Sequence, residues 1–287
     1  MAETVLGVIG GSGFYQMDGL EGVEQIELRT PFGNPSDLYY RGRIGGSTVV
    51  FLSRHGRGHR ILPSEINYRA NIHGLKQLGV QYLVSVSAAG SMREDLAPGD
   101  FIVPDQFIDH TFKRPMSFFG NGLVGHVSMA DPVCAALGAR LTQAGQAAGA
   151  RIRQGGTYLS IEGPQFSTRA ESLLYRAWNV DVISMTAVQE ARLAREAEMC
   201  FAILALVTDY DCWHQSAKQV DIGDVIRVLN ENVATARKAI GVLATDLNHH
   251  QPACACSRAL EGTIVTDRNL IPRQTRTDLE LIIGKYL

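Results

Sequence analysis

Residues 180–208 read VDVISMTAVQEARLAREAEMCFAILALVT, and this stretch decides the fold. Val180–Ser184 is a short apolar run, Thr186–Ala197 carries a helical pattern, and Cys200–Thr208 is the most hydrophobic run of the chain. Short apolar runs bounded by turn signals suit buried strands, and the longer segment between them suits a helix. The alternation extends outward. Upstream, Val5–Ile9, Thr48–Ser53, Tyr82–Ser87 and Gly156–Ile161 read as strands, and Ser64–Leu78, Asp131–Ala148 and Arg169–Trp178 as helices. Pro63 introduces the first of these helices and Gly79 stops it. Downstream, Ile222–Leu247 reads as one long helix. Such alternation predicts an α/β domain around a mixed, largely parallel sheet with helices on both faces. No proline- or serine-rich linker and no internal repeat divides the chain. It reads as one domain with an irregular C-terminal extension from about 249 to 287, including a last helix over Thr277–Tyr286. Ligands of open α/β sheets gather beyond the carboxyl ends of the strands. The residues just after the apolar runs are therefore the candidates.

The bulk numbers narrow the function classes. Of 287 residues, 45% are hydrophobic and 20% charged, a soluble globular balance. The 27 Lys and Arg stand against 29 Asp and Glu, a net charge of −2. That offers no broad basic surface to nucleic acid or an anionic membrane, so an anion must be held by a local cluster. The opening MAETVLGVIGG lacks a basic region, and its apolar run is too short for a signal peptide or a span. Five scattered cysteines, at 134, 200, 212, 254 and 256, suit a reducing cytoplasm better than a disulfide framework.

Six clusters follow apolar runs. Gly10-Gly11-Ser12-Gly13 is either a plain strand-ending turn or a backbone cradle for an anion, with the Ser12 hydroxyl as a further donor. It fits neither the dinucleotide fingerprint nor the Walker pattern. Arg54-His55-Gly56-Arg57-Gly58-His59 offers several charge-assisted donors to a phosphate; otherwise it is a solvated basic loop. Ser85–Gly90 brings small residues and the Ser87 hydroxyl to a strand end. Ile161–Arg169 (IEGPQFSTR) places Phe166 either as a wall for a flat ring or in the core. Ser184-Met185-Thr186 opens a helix, with Thr186 as a cap or as an anion donor at the helix N-terminus. Asp209 and Asp211, in TDYDCW, point to the same side if the chain stays extended, and a carboxyl at the dry end of a core strand should have a raised pKa. His249, His250, Cys254 and Cys256 tempt a metal assignment, but C-x-C spacing is poor for one tetrahedral ion, and no metal is expected.

Taken in order, these segments resemble the trimeric purine nucleoside phosphorylase family, and within it the members that act on 5'-methylthioadenosine. The resemblance rests on IGGSG (9–13), TPFG (30–33), PSD (35–37), RHGRGH (54–59), NYRANI (67–72), GSMREDLAPGD (90–100), DQFID (105–109), IEGPQFSTRAES (161–172) and TDYDCW (208–213). It covers nearly all of residues 4–247. It implies a single phosphorylase domain over 1–287 with a distorted mixed sheet, no metal and no organic cofactor. It also implies a phosphate site of Ser12, Arg54, His55, Ser87, the Ala88 backbone and Thr186. The nucleoside would meet Phe166, Met185, Asp209 and Asp211, with Ser167 and Ile222 shaping the 5' pocket. His126 matches a residue that reaches this pocket from a neighbouring subunit, which implies a homotrimer with shared active sites.

The residue types agree with that chemistry. Phosphate, inorganic and a co-substrate, would attack C1' of the nucleoside, placed by positioning. Protonated Asp209 would donate to N7 of the leaving adenine, and Asp211 would accept from its 6-amino group. The products would be adenine and 5-methylthioribose 1-phosphate, a step of methionine and purine salvage. A 6-oxopurine nucleoside or methylthioinosine phosphorylase is the near alternative, but those relatives lack the paired aspartates. A nucleoside hydrolase would want a calcium-binding aspartate cluster near the N-terminus, which IGGSG does not offer. A nucleoside-binding protein without activity would not need Arg54 and His55.

Overall fold

The computed structural model describes residues 3–11, 17, 19–214, 221–249 and 253–287. Ser12, Gly13 and His250 lie outside the described residues. The first half of the chain forms β1 (Val5–Gly10), β2 (Glu21–Ile26), β3 (Tyr39–Ile44), β4 (Ser47–Ser53), α1 (Tyr68–Gln77), β5 (Tyr82–Ser91), β6 (Phe101–Val103) and β7 (Gln106–His110). The second half forms α2 (Ala135–Ala147), β8 (Ile152–Gln154), β9 (Thr157–Ile161), α3 (Arg169–Ala177), β10 (Val182–Ser184), α4 (Val188–Glu196), β11 (Cys200–Asp209), α5 (Ile222–His249) and α6 (Arg273–Ile283).

One mixed sheet holds these strands together, as the alternation predicts. β1 lies between β4 and β5 and runs parallel to both. β11 runs parallel to β5 from Cys200 opposite Tyr82 to Asp209 opposite Gly90, with an irregularity just before the end. β6 pairs antiparallel with β11, and β8 pairs with β6. β10, β9 and β7 continue beyond the far end of β5. Helix α1 packs on α4, and α2 packs on α5. The buried faces of β1, β5 and β11, with Leu6, Ile9, Leu83 and Leu204 inaccessible to solvent, form the centre of the core.

The sheet splits beside β5. On one edge, β1 pairs only with Tyr82–Ser85, and β10 pairs only with Gly90 and Ser91. Among the described residues no strand covers Val86–Ala89 on that edge. Buried backbone polar groups need partners. Here side chains supply them: Arg54 donates to the Val86 carbonyl at 2.8 Å and Ser184 to the Ala88 carbonyl at 2.8 Å.

Several boundaries move from the sequence reading, for local reasons. α1 starts at Tyr68 rather than Ser64, because the Asn67 side chain caps it by accepting from the Ala70 N–H. α2 starts at Ala135 rather than Asp131, because the Cys134 N–H is committed to the Phe201 carbonyl. α4 starts at Val188 behind Ala187, whose φ is +76°, so Thr186 does not cap it. The last helix begins at Arg273 and gives way to a 3-10 turn at Gly284–Tyr286. The sequence reading misses β2, β3, β6, β7 and β8. β6 and β8 have three residues each, too few for a pattern, and β2 is mostly exposed, so no alternation shows.

The C-terminal extension docks on the body. Ile264 bridges to Gly125, and Leu260, Ile271, Leu279, Ile282 and Ile283 join the main core. No described helix is long and apolar enough to cross a membrane.

Candidate active site

The split beside β5 gathers most of the sequence-predicted residues. Arg54 leaves the end of β4 and turns inward, 2% exposed. Its Nε donates to Glu190 Oε1 at 2.7 Å, and its Nη2 donates to Ser85 Oγ at 2.8 Å and Glu190 Oε2 at 3.1 Å. Burial works against the charge of the guanidinium, but Glu190 outweighs it and holds the pKa above the ordinary value. The guanidinium is thus largely committed within the protein. Of its five N–H groups, the Glu190 and strand contacts leave at most one, on Nη1, for a ligand. The solvated-loop alternative fails for Arg54, whose side chain is buried, but holds for Arg57 and His59, which are exposed.

His55 follows, with Nδ1 2.8 Å from the Ile61 carbonyl and its ring stacked on His59 at 4.2 Å. A carbonyl only accepts, so Nδ1 carries the proton and Nε2 is left as an acceptor. Burial, together with the Arg54 charge, lowers the pKa to about 4. A neutral His55 can accept through Nε2 from a group that carries its own O–H.

Hydroxyls complete this side. Ser87 is buried with its Oγ 3.0 Å from the Tyr158 hydroxyl. Thr186 is buried, and its carbonyl accepts from Ser160 Oγ at 2.5 Å. The N–H and C=O of one strand residue point to the same edge. The Ala88 carbonyl reaches Ser184 across the split, so its N–H faces the same gap.

The carboxylates close the other side. Asp209 ends β11, and its Oδ1 accepts the Asp211 N–H at 2.8 Å while Oδ2 accepts from Thr208 Oγ1 at 2.8 Å. Gly90 makes room for it: a Cβ there would stand 3.0 Å from Asp209 Oδ1 and 3.2 Å from Ile183. The chain does not stay extended. Asp211 has φ of +53° and opens a 3-10 turn, so the two side chains are not set by strand alternation. Asp211 is 3% exposed and accepts from Ser172 Oγ at 2.8 Å. Burial pushes its carboxyl up and the neighbouring Asp209 charge adds to this, against the hydrogen bonds that favour the anion. The expected raised carboxyl is found at Asp211.

Phe166 is 45% exposed in the loop before α3, which removes the core alternative. Ser167 is half-buried, and its carbonyl accepts from the Cys212 thiol. Met185 lies against Gly163, where a Cβ would meet its sulphur at 2.5 Å, and its carbonyl accepts from Arg114. Ile222 is exposed at the start of α5, and His126 is exposed in a loop whose backbone bonds to Thr263. A concavity of 890 Å³ between α2 and α5, lined by Ile44, Arg237, Thr245, Asp246 and His249, contains none of the phosphate or nucleoside candidates.

Sequence reasoning missed the frame that holds the site. Arg114 is buried and donates to the carbonyls of Ile161, Glu162 and Met185, and to Gln189 Oε1. It thereby ties the Phe166 loop to Met185 and α4. Burial pushes the Glu162 carboxyl up, but the Phe112 N–H, the Arg114 charge and the Lys113 N–H hold it below its ordinary value. Glu190, Ser172, Tyr158 and Ser160 belong to the same frame. Tyr158 and Ser160 stand in an otherwise apolar strand, whereas Glu190 and Ser172 lie in helices with several other polar residues and carry no such signal.

Residues 5–243 match the phosphorylase superfamily. The S-methyl-5'-thioadenosine phosphorylase of Geobacter sulfurreducens is 53% identical over 99% of this chain and 100% of its own. The S-methyl-5'-thioadenosine phosphorylase of Koribacter versatilis is 49% identical over 99% of this chain and 97% of its own. Among solved structures, a methylthioadenosine phosphorylase sourced from an antarctic soil metagenomic library has a TM-score of 0.93 at 45% identity, covering 98% of this chain and 99% of that one. The methylthioadenosine phosphorylase from Schistosoma mansoni, in complex with adenine, has a TM-score of 0.83 at 32% identity over 98% of each chain.

Proposed function

The chain belongs to the phosphorylase superfamily, and from that membership we propose that it cleaves 5'-methylthioadenosine with phosphate, giving adenine and 5-methylthioribose 1-phosphate. It is a pentosyltransferase. The observation that carries the substrate reading is the split beside β5, with anion donors on one side and the Asp209–Asp211 pair on the other.

Phosphate sits in the gap. The Ser87 and Thr186 hydroxyls and the Ala88 N–H donate to it, His55 Nε2 accepts from its P–OH, and Arg54 contributes charge and one N–H. Positioned donors of this kind stabilise the transition state without having to reorganise. Phosphate attacks C1' as the purine leaves, and the adenine ring lies against Phe166 and Met185. Protonated Asp209 donates to N7. Asp211 accepts from the 6-amino group and disfavours a 6-oxo base. Ser167 and Ile222 border the 5' substituent. The mechanism calls for no metal or organic cofactor.

His126 completes the pocket of a neighbouring subunit in a homotrimer. Support comes from its exposure and from Phe112, Met116 and Val124, which are 74%, 41% and 47% exposed along the same stretch of chain. Sedimentation near three times 31.3 kDa is expected, and a fully active monomer excludes this arrangement. The free thiols suit a cytoplasmic enzyme.

Turnover of methylthioadenosine, methylthioinosine, adenosine and inosine, each with and without phosphate, tests the reading. Phosphate-dependent turnover with a wide preference for methylthioadenosine is expected. Equal use of inosine derivatives would promote a 6-oxopurine substrate. Turnover without phosphate would make the enzyme a hydrolase, and binding without turnover would make it a carrier.

A further inference from the structure

Four of the five cysteines meet at one point, far from the active site. Cys134 immediately precedes α2, Cys200 opens β11, and Cys254 and Cys256 lie in the segment after α5. Their four sulphurs all lie within 4.8 Å of one another, and Cys200 Sγ is 3.2 Å from Cys254 Sγ. Cys134, Cys200 and Cys256 are buried and Cys254 is exposed at the mouth. All five cysteines of the chain are free thiols.

We propose that Cys134, Cys200, Cys254 and Cys256 form a structural tetrathiolate site for a zinc-class divalent ion. A tetrahedral ion with metal–sulphur bonds of about 2.3 Å sets its sulphurs ~3.8 Å apart, so the observed spread closes by small side-chain rotations. Four soft thiolates in a closed arrangement select zinc over oxygen-seeking ions such as magnesium or calcium. Spacing alone argued against this assignment, because a C-x-C pair supplies only half of a site. The fold supplies the other half from residues 54 and more positions away in the sequence. Ala255, at φ −94° and ψ 9°, bends the chain into a 3-10 turn at Cys256, and the fold thereby brings both Cys254 and Cys256 to Cys200 and Cys134. His249, at the end of α5, is not part of the group.

The position says what the site is for. β11 carries Cys200 at its start and Asp209 at its end, so about 30 Å of strand separates the cluster from the chemistry. An ion there does not touch the substrate. It pins the C-terminal segment onto the amino end of the central strand and the entrance to α2. Loading replaces thiol protons with the metal, Zn²⁺ entering as up to four protons leave, with no oxidant or reductant needed.

The test is metal content and cobalt spectroscopy of the full-length protein, produced and handled under reducing conditions with added zinc. One zinc per chain is expected. Replacement by Co²⁺ should give thiolate-to-cobalt charge-transfer bands and the intense visible bands of a tetrahedral ion. Cys254→Ser, at the exposed mouth, should lose the metal while far-ultraviolet circular dichroism stays native. Cys212→Ser, outside the cluster, should keep it. Chelation of the wild type should lower the Tm by several degrees. Fully reduced protein that takes up neither zinc nor cobalt overturns the proposal. So does a metal-free chain lighter by two or four hydrogens, which would mean disulfides. Retention of the metal by Cys254→Ser together with Cys256→Ser would place the ion elsewhere and overturn it too. The wild-type cobalt spectrum decides the matter even if a variant fails to fold.

Discussion

β11 has two ends, and they are built in opposite ways. At the carboxyl end, Thr208, Asp209 and Asp211 are neighbours in sequence, and their hydrogen bonds run mostly among themselves and to Ser172. At the amino end, Glu198 and Cys200 meet groups from α2, from the chain after α5 and from the last turn of the molecule. The first arrangement keeps polar groups poised at a gap in the sheet, where a ligand can reach them. The second spends its polar groups on docking one segment against another. A strand buried from Cys200 to Thr208 thus separates the part that must stay open from the part that must stay shut.

The largest effect should come from the open end. Asp209→Asn keeps the size of the side chain and removes the transferable proton, so kcat should fall by roughly 10²–10⁴ with a smaller change in KM. Asp211→Asn differs, because it exchanges an acceptor for a group that also donates: relative activity should shift toward the 6-oxo substrate. Near-normal kcat in Asp209→Asn would make the carboxyl end as inert as the amino end, and the contrast would collapse.

The next effect is on stability, at the base of the same site. The side chains of Arg54 and Glu190 are 3% and 1% exposed and joined at 2.7 Å. Removing one partner of a buried pair leaves an unpaired charge, so Glu190→Ala should cost about 3–5 kcal/mol. Glu190→Gln, which keeps a hydrogen-bonding group, should cost less. Urea midpoints check this. An unmoved midpoint in Glu190→Ala would mean that Arg54 is solvated after all, and that the gap rests on the hydroxyls alone. Arg54→Ala is a poor probe of phosphate binding for the same reason, since it strands Glu190.

The same contrast explains what the sequence reveals. The strands and helices of the core are legible because apolar periodicity is local, and TDYDCW and RHGRGH are legible because their chemistry lies in consecutive residues. Arg114 is not legible. It sits in an irregular stretch, and its role comes from carbonyls at 161, 162 and 185 that only the fold brings near. The left-handed Asp211 and Ala187 were missed because their backbone conformations are imposed by tertiary packing rather than by residue type. The cysteine cluster is the extreme case, since each half of it is uninformative without the other.

The smallest effect belongs to the shut end and separates burial from charge. Glu198, 8% exposed, accepts from the Leu260 N–H at 3.0 Å and from the Tyr286 hydroxyl, and its Oε2 lies 2.5 Å from Lys285 Nζ. The Lys285 side chain is 54% exposed. Water screens such a pair and the lysine gives up rotamer freedom to make it, so Lys285→Met should cost below about 1 kcal/mol and the loss should shrink further in high salt. Glu198→Ala removes an acceptor that buried donors depend on and should cost more, about 1.5–3 kcal/mol. Both are read from urea midpoints at low and high salt, with kcat as the control. Equal losses for the two variants would mean that the ion pair, rather than the buried acceptor, docks the C-terminal segment. A fall in kcat as large as that of Asp209→Asn would show that the two ends of β11 are coupled rather than insulated.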